Sequence, residues 1–257
     1  MLRSTFLHCP LIGEETERRL WARGISDWDA AMQSEASLSL GAADRSTFLR
    51  VVAESHRALE EREHQYFARK LGIREAWRAF QEFRNDAVYL DIETDGGQRG
   101  DSITTIGMYD RNGTTCLVKG RDLENFRDLI SNYAMIVTFF GTGFDLPMLS
   151  KRFPDIKFDQ IHLDLCPTLK RVGIRGGLKK IERHVGISRG DETDGLTGWD
   201  AVKLWRRYQQ YGDERALKTL IAYNLDDVVN LEPLAEIAYA ELRAAALGEP
   251  RKVPATV

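Results

Sequence analysis

The run AVYLDIET, residues 87–94, constrains the fold more than any other segment. It is rich in strand-forming apolar residues, and the turn-forming segment DGGQRGD follows it. Asp91 and Glu93 interrupt this run two positions apart, so strand alternation places both carboxylates on one face. One interpretation is an edge strand with an exposed polar face. The other is a buried strand that presents two carboxylates to a shared site.

The pattern changes near Asn85 from helical to extended. Residues 1–84 favour helices over 14–28, 47–70 and 74–83, with a stop at Gly24 and a new N-cap at Ser26. We therefore predict three regions: a helical N-terminal module over 1–84, a second domain over 85–247 and a flexible tail over 248–257. The segment PLIGEETERRLWARGI resembles a single helix-hairpin-helix element, which would bind phosphate through backbone N–H groups. Plain helical packing is the alternative interpretation.

The second domain alternates strands and helices. Asn112-Gly113 is a strong hairpin signal between its second and third strands. The predicted strands are 87–94, 103–110, 114–120, 133–140 and 161–165. The predicted helices are 121–132, 167–171, 178–185 and 201–211, together with a helix that begins at Pro147 and a long helix over 214–246. This order predicts an α/β fold with a mixed sheet, in which three antiparallel strands come first and parallel strands are added.

Composition excludes several classes of protein. The chain has 257 residues with 36 basic and 39 acidic side chains, so its overall charge gives no sign of a nucleic-acid partner. Three widely spaced cysteines form neither a disulfide framework nor a zinc knuckle. The sequence has neither a long apolar run nor the pattern of a secretory signal. We therefore expect a cytoplasmic protein without a membrane partner.

A third carboxylate, Asp145, follows a predicted strand and the turn Gly141-Thr142-Gly143. It could bind a metal ion, or it could be an ordinary N-cap of the helix that follows. A fourth, Asp227, lies four residues after Tyr223, so both share one face of a predicted helix. Asp226 lies about 100° from Asp227 around the helix axis and is expected at the surface or behind the site.

Together, D-x-E on the first strand, F-D after a later strand and Y-x-x-x-D on a late helix resemble the ribonuclease H-like superfamily of DEDD 3'-5' exonucleases, tyrosine subclass. The histidine subclass would have a histidine where this chain has Ala222. The sequence segments DIET, FDLPML, IHLDL, GLKKIE and YNLDDVVNL are similar to those of the bacterial YprB-like branch of predicted exonucleases. The resemblance covers about residues 85–240 and implies a ribonuclease H-like fold.

The resemblance also implies a mechanism and its residues. Two divalent ions, Mg²⁺ or Mn²⁺, would activate the attacking water and stabilise the leaving 3' oxygen. Their implied ligands are Asp91, Glu93, Asp145 and Asp227. Tyr223 would orient the attacking water or help to take its proton, although an ordinary tyrosine pKa near 10 makes it a poor base at neutral pH. The implied partner is the end of a single-stranded DNA or RNA.

Residues that could hold the nucleic acid lie mainly between the second and third motifs. Residues 170–189 carry seven Lys and Arg against one Glu, which suits a polyphosphate strand, although a solvated helix face is the alternative. Phe140 stands where the family commonly has Asn, and it could stack on a base instead. The predicted nucleic-acid-binding residues are Thr94, Phe140, Phe144, Lys170, Arg171, Arg175, Lys179 and Lys180.

Two further hypotheses remain open from the sequence. A ribonuclease H-like fold also suits a structure-specific endonuclease, which would cut circular single-stranded DNA where an exonuclease cannot start. A non-catalytic nucleic-acid-binding protein could also keep the fold. The set of four carboxylates argues against this second alternative, because an abandoned site has no physical reason to keep unpaired like charges together. His162 and Asp164 share a strand face, and we expect Asp164 to have a hydrogen-bonded structural role.

Overall fold

The structure is a computed structural model that describes residues 1–34, 40–41 and 43–256. The chain divides into two compact units, one formed by residues 1–83 with 159–161 and the other by 84–158 with 162–257. Within the described residues, no helix has the length and apolar character needed to cross a membrane.

The first unit is helical. Its helices are α1 (Glu14–Ala22), α2 (Trp28–Gln33), α3 (Arg45–Glu60), α4 (His64–Glu75) and α5 (Phe80–Phe83), with a 3-10 turn at Ala76–Ala79. Trp28, Phe67 and Phe83 pack in its core, and the rings of Trp28 and Phe67 are stacked. Their packing gives this unit its own apolar centre.

Three details of this unit differ from the predictions. Asp27 caps α2 by accepting a hydrogen bond from Ala30 N, so the prediction of Ser26 as N-cap is wrong. The single helix predicted over 47–70 is interrupted, because Arg62 adopts a left-handed φ of 56° and donates to Glu82 O. Residues 1–13 form turns, so no helix precedes Gly13 as a helix-hairpin-helix would require.

The second unit contains a mixed five-stranded sheet, as predicted. The strands are β1 (Ala87–Thr94), β2 (Ile103–Asp110), β3 (Gly113–Val118), β4 (Met135–Thr138) and β5 (Ile161–Asp164), in the order β3-β2-β1-β4-β5. β1 pairs antiparallel with β2 and parallel with β4, and β2 pairs antiparallel with β3. The central position of β1 excludes an edge strand for Asp91 and Glu93.

Seven helices accompany the sheet in the described part of this unit. They are α6 (Phe126–Ile130), α7 (Asp145–Arg152), α8 (Leu165–Arg171), α9 (Leu178–Val185), α10 (Gly198–Tyr211), α11 (Glu214–Val229) and α12 (Leu231–Leu247). One apolar cluster joins β1 and β2 to Phe126 and Phe153, and a second joins Val118 to Trp205 and Leu220. The sheet therefore buries both of its faces, which requires helices on each side.

The long C-terminal helix predicted over 214–246 is two helices that meet at Asn230. Pro233 lies in the first turn of α12, where its missing N–H costs nothing, but it could not continue α11 without losing a hydrogen bond and clashing with the preceding turn. The strand predicted over 133–140 is shorter, at Met135–Thr138, and the helix predicted over 121–132 is a 3-10 turn followed by α6.

The C-terminal residues make specific contacts with the second unit. Thr256 N donates to Gly173 O, and Arg175 N donates to Thr256 Oγ1. Glu241 accepts from the backbone N–H groups of Lys252 and Val253. These contacts over 252–256 differ from the frayed tail expected from the sequence.

Candidate active site

Strand β1 separates an apolar face from an acidic one. Val88, Leu90 and Ile92 are buried in the apolar cluster on one side of the sheet. Asp91 and Glu93 alternate with them and lie on the opposite side, where Asp91 contacts α11. Because alternate side chains of a strand point to the same face, both carboxylates face the helix that covers this side of the sheet.

Helix α11 adds a third carboxylate at the same place. Asp227 is 6% exposed, and its ligand oxygen lies within 4.8 Å of those of Asp91 and Glu93. Tyr223, one turn earlier on α11, is 5% exposed and lines one pocket together with these three carboxylates. Asp226 lies outside this group and accepts a hydrogen bond from Thr193 Oγ1. Three carboxylates with converging oxygens are a candidate metal site.

Asp145 borders this group without belonging to the three-carboxylate cluster. It is the first residue of α7 and is 3% exposed, and its Oδ1 accepts a 3.1 Å hydrogen bond from Ile92 N. Phe144 is the N-cap residue of α7, so Asp145 is not the N-cap that the sequence allowed. Its carboxylate is instead fixed to β1 and lines the same pocket.

Burial raises the affinity of all four carboxyls for protons, and repulsion between them adds to this effect at Asp91, Glu93 and Asp145. Burial, followed by the charges of Asp227 and Asp145, raises the pKa of Glu93 to about 8. Burial chiefly raises the pKa of Asp145 to about 7 and that of Asp227 to about 6. The pKa of Asp91 lies well above its ordinary value because of burial and then the charge of Asp145. The cluster therefore needs positive charge to be fully ionised at neutral pH.

A hard divalent cation fits this donor set. All the converging donors are carboxylate oxygens, which are the ligands that Mg²⁺ and Mn²⁺ prefer. Asp91, Glu93 and Asp227 would hold such an ion, and Asp145 borders the same space. Bound cations would offset the burial and the repulsion that raise these pKa values.

Tyr223 is held in a protonated state by its surroundings. Burial, and then the charges of Asp227 and Glu93, raise the pKa of its phenol above the ordinary value. The ammonium of Lys179 lies 4.3 Å from the centre of the Tyr223 ring. At neutral pH this phenol is therefore a hydrogen-bond donor.

Asn224 is part of the site, and the sequence analysis missed it. It is fully buried, and its Nδ2 donates to Asp91 Oδ2 at 2.8 Å. Gly107 lies opposite Asp91 on β2, and a Cβ there would come within 2.9 Å of the Asn224 amide. Gly107 thus makes room for the amide that orients Asp91. The only sequence signal was a polar residue on an otherwise apolar helix face.

Arg189 has a different role from the one its position in a basic segment suggested. Its side chain is 3% exposed, and Nη2 lies 2.5 Å from Asp227 Oδ1. Nε and Nη2 each make a 2.7 Å hydrogen bond to Glu182, which also accepts from Asn230. Arg189 is therefore a buried ion-pair partner of the cluster, and a charge count along the chain could not distinguish it from solvated arginines.

The predicted nucleic-acid-binding residues separate into two groups. Phe140, Phe144, Lys179 and Lys180 line a pocket of about 600 Å³ together with the four carboxylates and Tyr223. Lys170, Arg171 and Arg175 are exposed but do not line it, and Thr94 is buried at the end of β1. The pocket thus combines acidic, aromatic and basic side chains, a combination suited to a ligand with a phosphate and an aromatic base.

Asp164 has the hydrogen-bonded role expected of it. It is 2% exposed and accepts from the backbone N–H groups of Phe140, Thr142 and Cys166. His162 contacts Thr138 Oγ1, and burial lowers its pKa to about 4. Asp164 therefore fixes the turn that follows β4, while His162 stays neutral.

Comparison with family models gives a match within the second unit. A family model described as RNase_H superfamily matches residues 88–239. Among 18 solved chains that match is the family B DNA polymerase from the hyperthermophilic archaeon Pyrobaculum calidifontis, with 19% identity and a TM-score of 0.47. That match covers 62% of the present chain and 26% of the polymerase chain. No curated protein sequence matches significantly.

Proposed function

The chain belongs to the RNase H superfamily, and from this premise we propose that it is a metal-dependent 3'-5' exonuclease of the tyrosine subclass, similar to the YprB-like branch. Its substrate would be the end of a single-stranded DNA or RNA. The observation that carries the proposal is the convergence of Asp91, Glu93 and Asp227, with Asp145 beside them, in one open pocket.

The chain supplies a preorganised set of oxygen ligands. When bound, two divalent ions would activate the attacking water and stabilise the leaving 3' oxygen. The residues behind the ligands hold them in place: Ile92 N fixes Asp145, Asn224 fixes Asp91, and Arg189 fixes Asp227. These three ligands therefore lose little freedom when a cation arrives, which favours binding in a defined geometry.

Tyr223 would act as a donor within this proposal. Its raised pKa keeps the phenol protonated, so it can orient the attacking water or a phosphate oxygen by donating a hydrogen bond. Its presence four residues before Asp227 on α11 also supports the tyrosine subclass. This role differs from that of a general base, which would need a pKa near the working pH.

The substrate would enter along the basic and aromatic side of the pocket. Lys179 and Lys180 are the cations that line it, and they would neutralise backbone phosphates. Phe140 and Phe144, which are 56% and 37% exposed, offer apolar surface beside the carboxylates. An aromatic surface next to a phosphate-binding lysine favours a nucleotide over a bare phosphate ester.

The direct test uses single-stranded oligonucleotides labelled at the 5' or the 3' end, incubated with Mg²⁺ or Mn²⁺. We expect a 5'-labelled oligonucleotide to give a ladder of shortened products and a 3' label to be released at once as a mononucleotide. Asp91→Asn and Asp145→Asn should abolish the ladder. Asp128→Asn, which changes an exposed aspartate of α6, is the matched control and should retain it.

Four outcomes would contradict the proposal. Degradation that begins at the 5' end would indicate a 5'-3' exonuclease. Cleavage of circular single-stranded DNA would indicate an endonuclease. Equal activity of wild type and Asp91→Asn would assign the cleavage to a contaminant. If the protein binds the oligonucleotide but cleaves it with neither Mg²⁺ nor Mn²⁺, it is a non-catalytic nucleic-acid-binding protein.

A further inference from the structure

Phe140 combines three unusual properties. It is a non-glycine residue with a left-handed φ of 66°, its large apolar side chain is 56% exposed, and it lines the pocket that holds the carboxylates. A bulky residue at positive φ is a conformational outlier, and such outliers concentrate at binding sites. A residue that is more than half exposed gains only part of the free energy of burial that could offset this strain.

Hydrogen bonds to the buried carboxylate of Asp164 hold Phe140 in this conformation. Asp164 Oδ1 accepts from Phe140 N at 2.8 Å, and Asp164 Oδ2 accepts from Thr142 N at 3.0 Å. Gly143 N donates back to Phe140 O, which closes the turn. The carboxylate of Asp164 thus binds two backbone N–H groups of the tight turn after β4, and this turn fixes the direction in which the ring leaves the backbone.

One side of the ring is supported by Gly143. A Cβ on Gly143 would come within 2.6 Å of Phe140 Cζ, so only glycine lets the ring lie this close to the backbone. Phe140 is more than half exposed, and it lines the pocket together with Phe144. An aromatic surface that is supported on one side and open on the other is suited to stacking on a planar ligand.

We propose that Phe140 is a stacking platform for an unpaired nucleobase at the end of the strand, so that it selects ends whose terminal bases are single-stranded. This proposal rests on the exonuclease function proposed above and names the part of the substrate that the site recognises. Stacking is tolerant of base identity, because every base has an aromatic face. A terminal base that is paired in a duplex would have to unpair and leave its neighbour before it could lie on the ring, which costs free energy.

The test measures binding in Ca²⁺, with a gel that confirms the oligonucleotide stays intact. The probes are a single-stranded decamer with 2-aminopurine at its 3' terminus and the same decamer with an abasic terminal nucleotide. Phe140→Ala should weaken binding of the first probe roughly 5- to 100-fold, as expected for the loss of one stacked base, and leave the abasic probe within about twofold. The quenching of 2-aminopurine that accompanies stacking should also decrease.

Two variants control for structure. Phe140→Asn removes the ring but suits the left-handed conformation, so it should weaken base-dependent binding without lowering the midpoint of thermal unfolding. Tyr211→Ala changes an aromatic residue that is 73% exposed and lies outside the pocket, and it should bind both probes as the wild type does.

The platform is overturned if the Phe140 variants bind both probes as tightly as wild type, or weaken both by the same factor. These results are separable from the nuclease test. A wild type that degrades oligonucleotides while Phe140→Ala makes no base-dependent difference refutes the platform alone. A wild type that does not degrade them refutes the exonuclease, and a base-dependent loss in Phe140→Ala would then still support stacking.

Discussion

Arg189 Nη2 lies 2.5 Å from Asp227 Oδ1, while the same guanidinium makes two 2.7 Å hydrogen bonds to Glu182. A cation of the protein itself thus contacts one of the carboxylates that would hold metal. Its charge also lowers the pKa of Asp227 against the larger effect of burial. Part of the charge balance at this site is therefore built into the fold.

Replacing Arg189 by Gln should destabilise the metal-free protein strongly. The change leaves Glu182 and Asp227 buried without their cation, which typically costs about 3–5 kcal/mol in the free energy of unfolding. Urea denaturation in EDTA measures this loss, and added Mn²⁺ should restore part of it. Arg183→Gln, at an exposed position of α9, should change stability by less than about 0.5 kcal/mol. A loss of under about 1 kcal/mol for Arg189→Gln would contradict a buried ion pair.

Asn224→Ala should weaken metal binding without removing any metal ligand. The variant loses the hydrogen bond from Nδ2 to Asp91 Oδ2, and the loss of such outer partners typically costs about 10- to 100-fold in metal affinity. Titration calorimetry with Mn²⁺ measures the change. Gly107→Ala should act in the same direction, because its Cβ would displace the Asn224 amide. The control is Asn132→Ala at an exposed position, and an unchanged affinity in Asn224→Ala would refute the positioning role.

Tyr223→Phe distinguishes a donor from a general base. Because the phenol is protonated, removing its hydroxyl should cost one hydrogen bond, about 1–1.5 kcal/mol or roughly tenfold in kcat. Loss of a general base would instead cost about 10²–10⁴-fold. Single-turnover cleavage of a labelled oligonucleotide measures the rate, and Mn²⁺ affinity should stay close to that of wild type. A thousandfold loss would assign proton transfer to Tyr223.

The carboxylate cluster should make the metal-free protein less stable as pH rises. Folding raises the pKa of Glu93 to about 8 and that of Asp145 to about 7, so at neutral pH the folded state holds protons that the unfolded chain has released. Stability then falls with increasing pH. His8 and His162 act in the opposite direction, because their pKa values fall from 6.5 to about 4, and their effect is complete only about one pH unit above 6.5.

Thermal unfolding between about pH 6.5 and 8 therefore reports mainly on the cluster, because the two histidines complete their titration in the lower part of this range. In EDTA the midpoint should decrease over this range, and the decrease should be smaller in Glu93→Gln, which has no charge to desolvate. Mn²⁺ should raise the midpoint more at pH 8 than at pH 6.5, because protons compete less for the ligands. A midpoint in EDTA that rises with pH would show that these carboxyls are not the dominant titrating groups.

Local periodicity was enough to predict the elements that carry the candidate ligands. Strand alternation placed Asp91 and Glu93 on one face, and the bounds of β1 and β2 agree with the prediction. The four-residue spacing placed Tyr223 and Asp227 on one face of α11. The mixed sheet followed from the order of strands and helices. These properties depend on residues that are neighbours in the sequence, so their geometry is fixed by backbone repeat alone.

Only the tertiary structure decided how those ligands are supported. Asn224 reaches Asp91 because Gly107, from a third segment, leaves space for its amide. Arg189 became a buried partner of Asp227, although its local sequence resembles that of a solvated basic segment. Both contacts join segments far apart in the chain. The free energy of such a contact depends on burial and on the exact partner, and neither quantity is encoded in local pattern or composition.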